Sequence, residues 1–489
     1  MFGFGKIRGG VHPETHKDLT AGRSILQQLP LPRQLHMPLS QHAGVAATPL
    51  VGVGDRVLKG QLIARAAGSM SANVHASSSG VVSAIGPIVA PHPSGLPATA
   101  ITIDTDGEDR WVTLEPITDP FSMDPDTLAA RVEAAGIVGM GGAIFPAAVK
   151  LRQGRRFEIQ TLIVNGSECE PYLTCDDHLM QERAEAVVDG ARLVRHIIEA
   201  YRVVIAVEDN KPDAFAALTK AAAPHGMVEV MTVPTQYPMG SAKQLIQAVT
   251  GREIPAGQRS NDIGVLVHNV GTVFAIQQAL RYGRPLISRV VTVAGGCVQS
   301  PHNVEALLGT PLRELIAACD GLKGSPARLL MGGPMMGQIV PALDTPVIKG
   351  CTGLLALTQR EVNAHAPAPC IRCGRCVDAC PMGLVPLEMA RHSGVDDFEH
   401  AQEYGLRDCI LCGSCAYVCP SHIPLVQYFE YAKGELKERK QSEQKQEYTK
   451  RLISERAARL EQEAAAKAAA KAAKKKKARK SRSRESAES

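Results

Sequence analysis

The chain has 489 residues, 45% of them hydrophobic and 21% charged, an ordinary balance for a globular protein of about three or four domains. Aromatic residues make up only 4%, with a single Trp, which argues against a single-stranded nucleic-acid binder that stacks bases. The net charge of +5 arises in residues 433–489, which hold 19 of the 54 Lys and Arg but only 9 of the 49 Asp and Glu, so the rest of the chain is mildly acidic.

Neither a membrane span nor a secretory signal is predicted. No apolar run approaches the roughly 18 residues that a span needs. Residues 1–6 begin no apolar signal segment. These patterns predict a cytoplasmic protein with no nucleic-acid partner.

Residues 36–105 consist of short β-type pieces broken by Gly, Pro and Ser, which is typical of a small barrel or sandwich. The run from Gly54-Asp55 through Gly60-Gln61 to Ser79-Gly80 resembles a biotinyl/lipoyl-type barrel-sandwich domain. A carrier version needs a lysine at the hairpin tip, but residues 69–75 contain none. We therefore assign residues 1–115 to a barrel-sandwich with a structural or docking role, in preference to a swinging-arm carrier.

From about residue 116 short apolar runs alternate with helical patterns, which indicates an α/β domain with a largely parallel sheet. We predict this domain over residues 116–285. The predicted strands are 161–165, 203–207, 228–233 and 265–268, and the predicted helices are 179–201, 214–223 and 243–249.

Three further regions follow. Residues 286–345 return to β-type sequence, and residues 346–432 are rich in cysteine. Residues 433–489 form a Lys/Ala-rich tail with high helix propensity but no apolar face. We expect this tail to be a solvated, partly helical extension that grades into a disordered end, and contact with anionic lipid or a partner is the alternative. The predicted fold class is multidomain, α/β plus β, with an α-helical ferredoxin-type domain.

Eight of the thirteen cysteines lie between residues 370 and 419, in two copies of the spacing C-x2-C-x2-C-x3-C-P. In this double motif three cysteines of a tight loop wrap one cluster, and the fourth ligates the other cluster. The sequence therefore predicts two [4Fe–4S] clusters. The first is held by Cys370, Cys373, Cys376 and Cys419, and the second by Cys380, Cys409, Cys412 and Cys415.

Zinc is the alternative metal because tetrahedral zinc sites also use C-x2-C pairs. Zinc sites use two pairs, however, and not two quartets that each end in proline, so we favour iron–sulfur clusters. The remaining cysteines have no ligand spacing and are expected to be small buried apolar residues: Cys169, Cys175, Cys297, Cys319 and Cys351.

Two segments of the α/β region could bind a nucleotide or flavin. Residues 136–146 are rich in glycine, with a lysine at position 150, and such loops serve either as structural turns or as phosphate cradles. Residues 165–171, Asn-Gly-Ser-Glu-Cys-Glu-Pro, place an amide and two carboxylates at the carboxyl end of a predicted strand, the edge at which open α/β sheets bind ligands. A solvated acidic turn is the alternative for this second segment.

These segments together resemble the NADH-binding flavoprotein subunit of respiratory complex I. They match that family's G-x-G-G-A-x-F-P-x-x-x-K loop for the FMN phosphate, its Asn-x-x-Glu-x-Glu-Pro strand end and a later Asn-Val-x-Thr turn. The resemblance implies FMN as cofactor and NADH as substrate. It also implies that these groups are held by Gly139, Gly141, Gly142, Lys150, Asn165, Glu168, Glu170 and Asn269.

Over residues 1–432 the chain resembles, in order, the C-subunit family of the Rnf (Rsx) ion-translocating electron-transport complexes. The shared segments include Gly9-Gly10-Val11-His12-Pro13, Glu208-Asp209-Asn210-Lys211-Pro212, Tyr237-Pro238 and Gly332-Gly333-Pro334-Met335-Met336-Gly337. In that family residues 286–345 correspond to a β-grasp (SLBB-like) module.

The resemblance implies an enzyme subunit that carries electrons between NADH, through FMN and both clusters, and the partner subunits of the complex. Ferredoxin is a further implied partner. The implied location is peripheral, on the cytoplasmic side of the inner membrane. No catalytic nucleophile or base is expected, because hydride transfer depends on positioning.

Two alternatives stay open. One is a soluble NADH dehydrogenase module that reduces a free acceptor. The other is a non-catalytic scaffold that keeps only the ferredoxin relay. The scaffold is suggested by Ser167, where the complex I family has Asp, and by Gly240-Ser241-Ala242-Lys243, where that family has an acidic pair after the glycine.

Overall fold

The computed structural model describes residues 7–27, 29–89, 96–362 and 365–485. Two terminal segments lie outside the described residues, 1–6 and 486–489. The prediction about a signal segment partly rests on the first of them. The chain divides into two compact units. The first comprises Met1–Leu387 and Asp408–Leu425, and the second comprises Glu388–Arg407 and Val426–Ser489.

The N-terminal region forms two small antiparallel sheets, with strand orders β1-β7-β6-β3 and β2-β4-β5, as predicted for a barrel-sandwich. Buried side chains of these strands form a shared apolar core, which includes Leu35, Ile63 and Ile103. The strands are β1 (Gln34–Pro38), β2 (Thr48–Pro49), β3 (Arg56–Val57), β4 (Leu62–Arg65), β5 (Val74–His75), β6 (Gly80–Val89) and β7 (Pro97–Thr105).

The hairpin tip of this domain is buried against the segment that follows it. Asn73 Nδ2 donates to the carbonyl oxygen of Ala134 at 3.2 Å, and Lys349 Nζ donates to the carbonyl oxygen of Asn73 at 2.6 Å. His75 is also buried. A tip held in this way cannot swing, which supports the structural or docking role over the carrier role.

The middle of the chain forms a parallel four-stranded sheet with the order β10-β9-β8-β11 and helices packed against it. All four predicted strands occur, and their central residues are buried except in the edge strand over residues 228–233, which is mostly half-buried. The strands are β8 (Thr161–Gly166), β9 (Arg202–Glu208), β10 (Val228–Val233) and β11 (Val265–Asn269). The helices are α1 (Pro125–Ala134), α2 (Ala147–Gly154), α3 (Cys175–Glu182), α4 (Ala184–Ile198), α5 (Pro212–Ala222), α6 (Ala242–Thr250) and α7 (Val270–Tyr282).

The predicted helix over residues 179–201 is wrong as a single element, because the chain breaks at Arg183 into α3 and α4. Arg183 leaves the helical region, with φ −131° and ψ 32°. Its guanidinium instead donates to Glu305 Oε2 at 2.5 Å. The break coincides with a contact to a residue 122 positions away in the sequence.

The next region is a mixed five-stranded sheet with the order β13-β12-β16-β14-β15, in agreement with the β-grasp prediction. One of its strands, β16, lies beyond the predicted limit at residue 345. The elements are β12 (Ser288–Ala294), β13 (His302–Leu307), α8 (Leu312–Ala318), β14 (Arg328–Met331), β15 (Gln338–Ile339) and β16 (Gly353–Leu357).

The cysteine-rich segment contains short helices joined by tight loops, and the chain then enters one long helix. These helices are α9 (Gln359–Val362), α10 (Arg375–Asp378), α11 (Pro386–Ser393), α12 (Phe398–Glu403), α13 (Ser414–Tyr417) and α14 (Leu425–Glu485). Single 3-10 turns occur at Lys17–Leu19, Pro120–Ser122, Ser260–Ile263 and Leu406–Asp408.

Within the second unit, the start of α14 packs on the loop before α12. Tyr431 Oη donates to Asp396 Oδ1 at 2.9 Å, and the rings of Phe398 and Tyr431 meet edge to face at 5.9 Å. Farther along, α14 is continuous where a partly helical tail was expected, since its Ala, Lys and Glu residues favour helix. Among the described residues, none of the helices combines the length and apolar character needed to cross a bilayer.

Candidate cofactor-binding sites

The order in which strands are added to the parallel sheet reverses between β8 and β11. Two predicted site residues lie at the carboxyl ends of these two strands. Asn165 and Asn269 are register partners at the carboxyl edge. Such a switch point opens a crevice at the ends of the strands where ligands bind in open α/β sheets. The sequence placed Asn165 and Asn269 104 positions apart, and the sheet brings them side by side.

Both asparagine side chains are fixed by neighbouring groups. Asn165 Nδ2 donates to the carbonyl oxygen of Gly240 at 2.9 Å, and its Oδ1 accepts from the amide of Ser167 at 2.9 Å. Asn269 caps α7, because its Oδ1 accepts from the amide of Gly271 at 2.9 Å. These hydrogen bonds therefore fix the asparagine side chains that line the crevice.

The glycine-rich loop closes on itself and on the start of α7. The amide of Gly139 donates to the carbonyl oxygen of Phe145 at 2.8 Å. The amide of Met140 donates to Thr272 Oγ1 at 2.9 Å. These two bonds hold the loop against the carboxyl edge of the sheet.

Glycine is favoured at two positions of this loop. A Cβ at Gly141 would lie 3.3 Å from Cβ of Asn269, and Gly142 has φ +99°, where side-chain-bearing residues are strained. Within the described residues, the amides of Gly141 and Gly142 have no protein acceptor and are exposed. Free amides on a glycine loop suit the oxygens of a phosphate.

Lys150 lies on α2, immediately after this loop. Its Nζ donates to the carbonyl oxygen of Val267, and no carboxylate pairs with it in the part of the chain that the structure describes. Burial lowers the pKa of Lys150 to about 8. A partly buried cation without an anionic partner, beside a loop with free amides, fits a phosphate group.

Glu168 was predicted to face a ligand, but its carboxylate caps α3. Oε1 accepts from the amide of Asp176 at 2.9 Å and Oε2 accepts from the amide of Asp177 at 3.3 Å. The thiol of Cys175 also donates to Oε1, at 3.2 Å. A carboxylate at a helix N-terminus is favoured by the free amides there. Glu168 therefore holds the wall of the crevice.

Glu170 points away from the crevice to the β-grasp module. Its carboxylate accepts from the amides of Met335 and Met336, at 3.0 and 2.9 Å. A Cβ at Gly333 would lie only 2.2 Å from Glu170 Oε2, so glycine is needed there. Burial raises the pKa of Glu170 to about 7. This residue joins two domains and does not lie with the glycine loop.

Asp176 and Lys17 belong to this site, and sequence reasoning missed both. Asp176 Oδ2 accepts from Asn269 Nδ2 at 2.6 Å, and burial together with the charge of Glu168 raises the pKa of Asp176. Lys17 Nζ donates to the carbonyl oxygens of Glu168, Glu170 and Leu173. Asp176 stands at a helix start, a weak signal, but nothing near Lys17 in the sequence marks it.

Ser167, where the complex I family has Asp, is hydrogen-bonded to a buried ion pair. Its hydroxyl donates to Glu208 Oε1 at 3.2 Å, and Glu208 also accepts from Lys211 Nζ. Burial opposes the charge of Lys211, but the carboxylates of Glu208, Glu168 and Asp177 together outweigh burial and raise the pKa of Lys211. A cavity of about 1660 Å³ has Met140, Asp176 and Gly271, which adjoin Asn269 and the glycine-rich loop, on its wall.

The thiols of the first predicted cluster set approach one another. Burial raises the pKa of the Cys376 thiol, and the thiols of Cys370 and Cys419 raise it further. Cys419 comes from the other copy of the motif, 43 residues away. Arg372 donates its amide to Cys370 Sγ at 3.4 Å.

The thiols of the second predicted cluster set also affect one another's pKa values. Burial raises the pKa of the Cys415 thiol well above its usual range, and Cys412, Cys409 and Cys380 add to the effect. Leu384 donates its amide to Cys380 Sγ at 3.4 Å. Cys376 thus lies near Cys370 and Cys419, and Cys415 lies near Cys409, Cys412 and Cys380.

The spacing of these thiols argues against zinc. Around one tetrahedral zinc ion the sulfurs lie about 3.8 Å apart, given a Zn–S distance of about 2.3 Å. No three of the eight Sγ atoms, all of them in the described part of the chain, lie within 4.8 Å of one another. Of the other cysteines, Cys175, Cys297, Cys319 and Cys351 are buried, as expected, and Cys169 is half-buried.

Four family models match the chain in the predicted domain order. They are the RnfC barrel sandwich hybrid domain at residues 5–108, the Nuo51 FMN-binding domain at 132–278, the SLBB domain at 290–338 and the 4Fe-4S dicluster domain at 369–423. These matches confirm the predicted fold class and the predicted cofactor types, FMN and two [4Fe–4S] clusters.

Similar proteins carry one name, that of the C-subunit of an ion-translocating oxidoreductase complex. The protein of this name from Rhodobacter capsulatus is 52% identical over 88% of this chain and 83% of its own length. The protein of this name from Pseudomonas aeruginosa is 47% identical over 92% of this chain and 58% of its own length. A solved NAD⁺-reducing [NiFe]-hydrogenase matches with a TM-score of 0.47 and 20% identity, covering 63% of this chain and 62% of the other.

Proposed function

Because this chain belongs to the C-subunit (RnfC) family of ion-translocating oxidoreductase complexes, we propose that it passes electrons between NADH and the other subunits of such a complex. The observation that carries this proposal is the convergence of a glycine loop, Lys150 and two strand ends at the switch point of an FMN-binding domain. When bound, FMN accepts two electrons from a nicotinamide and releases them singly, as iron–sulfur clusters require.

We assign the FMN phosphate to the free amides of Gly141 and Gly142 and to Lys150. Gly139 supports this loop by closing it. Asn165 and Asn269 form the walls of the crevice and orient the ligand. Glu168, through the N-terminus of α3, keeps Asp176 beside Asn269.

Glu170 stays in the proposed site as a positioning residue. It holds the domain that carries the flavin crevice to the loop at Met335. The departures from the complex I family do not favour the scaffold alternative, because the FMN-binding domain is present.

For the clusters we propose the crossed ligand sets. Cys370, Cys373, Cys376 and Cys419 would hold one cluster, and Cys380, Cys409, Cys412 and Cys415 the other. The mutual effects of the thiols on their pKa values support this pairing. We further propose a peripheral position on the cytoplasmic side of the inner membrane, with NADH and ferredoxin as redox partners.

An anaerobic titration tests the proposal. The full-length chain, loaded with FMN and both clusters, is titrated with NADH and, separately, with dithionite, while visible and EPR spectra are recorded. We expect NADH to bleach the flavin and then to produce cluster EPR signals. Reduction by dithionite but not by NADH would contradict the NADH–FMN path and favour the relay alternative.

A further inference from the structure

The two copies of the cysteine motif allow a position-by-position comparison within one chain. The first loop reads Cys370-Ile-Arg-Cys-Gly-Arg-Cys376 and the second reads Cys409-Ile-Leu-Cys-Gly-Ser-Cys415. The cysteines, the isoleucine and the glycine are the same in both. The copies differ only where the first has Arg372 and Arg375 and the second has Leu411 and Ser414.

The second loop is covered by the rest of the first unit. A Cβ at Gly413 would lie 3.1 Å from the carbonyl oxygen of Met335, the residue whose amide donates to Glu170. The hydroxyl of Tyr237 donates to the carbonyl oxygen of Cys412 at 2.6 Å. Cys412 and Tyr237 also belong to one apolar cluster, against which half-buried Cys169 packs. This loop therefore adjoins the strand end at the flavin crevice.

The chain after the first motif, which supplies Cys380 to the same cluster, is covered as well. The amide of Gly10 donates to the carbonyl oxygen of Ala379 at 3.0 Å. Gln244 Nε2 donates to the carbonyl oxygen of Pro381 at 3.2 Å. A Cβ at Gly9 would lie only 2.6 Å from the carbonyl oxygen of Cys380. The Cys380 cluster site is thus enclosed on both sides.

The first loop is open. A Cβ at Gly374 would meet no atom within 4 Å, in contrast to Gly413. Ile371 is 69% exposed, and Arg372 and Arg375 are exposed too. The chain after the second motif, which supplies Cys419, is also at the surface, where the rings of exposed His422 and His365 stack at 4.5 Å.

We propose that the cluster of Cys380, Cys409, Cys412 and Cys415 exchanges electrons with the flavin, and that the cluster of Cys370, Cys373, Cys376 and Cys419 exchanges them with an acidic one-electron protein. That protein docks on the patch of His365, Ile371, Arg372, Arg375 and His422, which we term the exit surface. This inference rests on the proposed function, and it adds the order of the clusters and the chemistry of the partner.

Charge and size favour an acidic redox protein as the occupant. Arg372 and Arg375 flank the loop, and Asp378 offsets one of their charges. The equivalent second loop has no charged residue. Interfaces for electron transfer are small and transient, so a small rim of arginines around an exposed isoleucine suffices. In each transfer one electron leaves the reduced cluster and the partner gains one electron, with no bond made.

The test uses the full-length chain with both clusters, reduced by photoreduced deazaflavin so that NADH and FMN are bypassed. The probe is an oxidised acidic 2[4Fe–4S] bacterial ferredoxin, mixed at low salt in a stopped-flow instrument. We expect Arg372→Glu with Arg375→Glu to slow reduction of the probe at least tenfold, and added salt to erase the difference, because charge steering changes association rates by about 10–10³. Arg56→Glu with Arg65→Glu, two exposed arginines of the barrel-sandwich, is the matched control and should leave the rate unchanged.

Hydrogen exchange gives a second readout that needs no turnover. The ferredoxin should protect residues 370–376 and not residues 409–415, and the double variant should lose this protection. Unchanged rates in the variant, equal loss in the control, or protection of 409–415 would overturn the proposal. If iron analysis shows that the double variant lacks a cluster, Arg375→Gln alone is measured instead. If NADH fails to reduce the clusters, only the proposed function is contradicted. The order of the clusters can still be tested, because photoreduced deazaflavin reduces them without NADH.

Discussion

The hydroxyl of Tyr237 donates a 2.6 Å hydrogen bond to the carbonyl oxygen of Cys412, and so fastens the α/β domain to a cysteine loop 175 residues further along. Both residues are buried. The contact places the loop of one predicted cluster beside the domain that binds FMN. The contribution of this hydrogen bond to stability and the roles of the neighbouring groups can be measured with separate variants.

Tyr237→Phe should lower the free energy of unfolding by about 1–3 kcal/mol, because a buried carbonyl loses its donor without a replacement. The measurement is thermal melting of the cluster-loaded chain under anaerobic conditions. Tyr282→Phe, at a half-exposed tyrosine, is the control and should melt like the parent chain. An unchanged melting temperature for Tyr237→Phe would mean that this bond contributes little.

Lys150→Met should weaken FMN binding by about tenfold to a hundredfold, since a hydrogen bond to a charged group contributes about 1.5–3 kcal/mol. The affinity is measured by quenching of FMN fluorescence on titration with flavin-free chain. Lys220→Met, at an exposed lysine of α5, serves as control. Equal affinities for all three chains would remove Lys150 from the phosphate site.

FMN affinity should also fall as the pH rises above about 8. Burial lowers the pKa of Lys150 to about 8 in the free chain, so the ammonium that attracts phosphate is lost above that pH. The loss approaches tenfold per pH unit once the free chain is deprotonated. The same fluorescence titration at pH 7, 8 and 9 measures it, and the trend should be absent in Lys150→Met.

The crossed cluster ligation predicts unequal outcomes for two double variants. Cys380→Ala with Cys412→Ala removes two ligands of one cluster, so about four irons should remain of eight. Cys380→Ala with Cys373→Ala removes one ligand from each cluster, so both should be lost or labile. Iron content and EPR spectra are measured after anaerobic purification. If the Cys380/Cys373 variant instead keeps more iron than the Cys380/Cys412 variant, each cluster is ligated within one motif.

Lys349 joins three segments from a fully buried position. Its Nζ donates to the carbonyl oxygens of Asn73 and Gly136, each at 2.6 Å. Burial lowers the pKa of Lys349 to about 7, so at pH 8 the amine is mostly neutral. At that pH Lys349→Met should lower the free energy of unfolding by about 1–3 kcal/mol, because carbonyls lose their donor and no charge is removed.

The same residue gives a pH dependence with a definite sign. Between pH 7 and about 10 the unfolded chain binds a proton at Lys349 that the folded chain has released, so stability rises with pH in that window. Anaerobic melting of the parent chain and Lys349→Met at pH 7 and 9 tests this. A pH slope that is the same in both chains would contradict the assignment to Lys349.

Much of this architecture could be predicted from local sequence. The strands 161–165, 203–207, 228–233 and 265–268 all occur, because short runs of β-branched residues between turns specify strands without long-range help. The cysteine spacing identified the clusters, because each four-cysteine motif falls within a dozen residues. The spacing of the glycines left a structural turn and a phosphate cradle open, and the resemblance to a flavoprotein family favoured the cradle.

Other features depend on partners far away in the chain. The break at Arg183 coincides with a contact to Glu305, the contacts of Glu170 need Met335 and Met336, and Lys17 reaches carbonyls more than 150 residues away. No local pattern marks these positions, since any exposed acid or lysine would look the same in the sequence.

The sequence by itself therefore determined the domain types, the cofactors and the cysteines of each motif, since spacing and propensity act over short distances. Only the tertiary structure decided that Glu168 caps α3, that Glu170 contacts the β-grasp module, and which cluster loop is covered. Gly374 and Gly413 occupy equivalent places in near-identical loops, yet one is open and the other meets Met335. The difference arises from packing between distant segments, which a repeated local motif cannot encode.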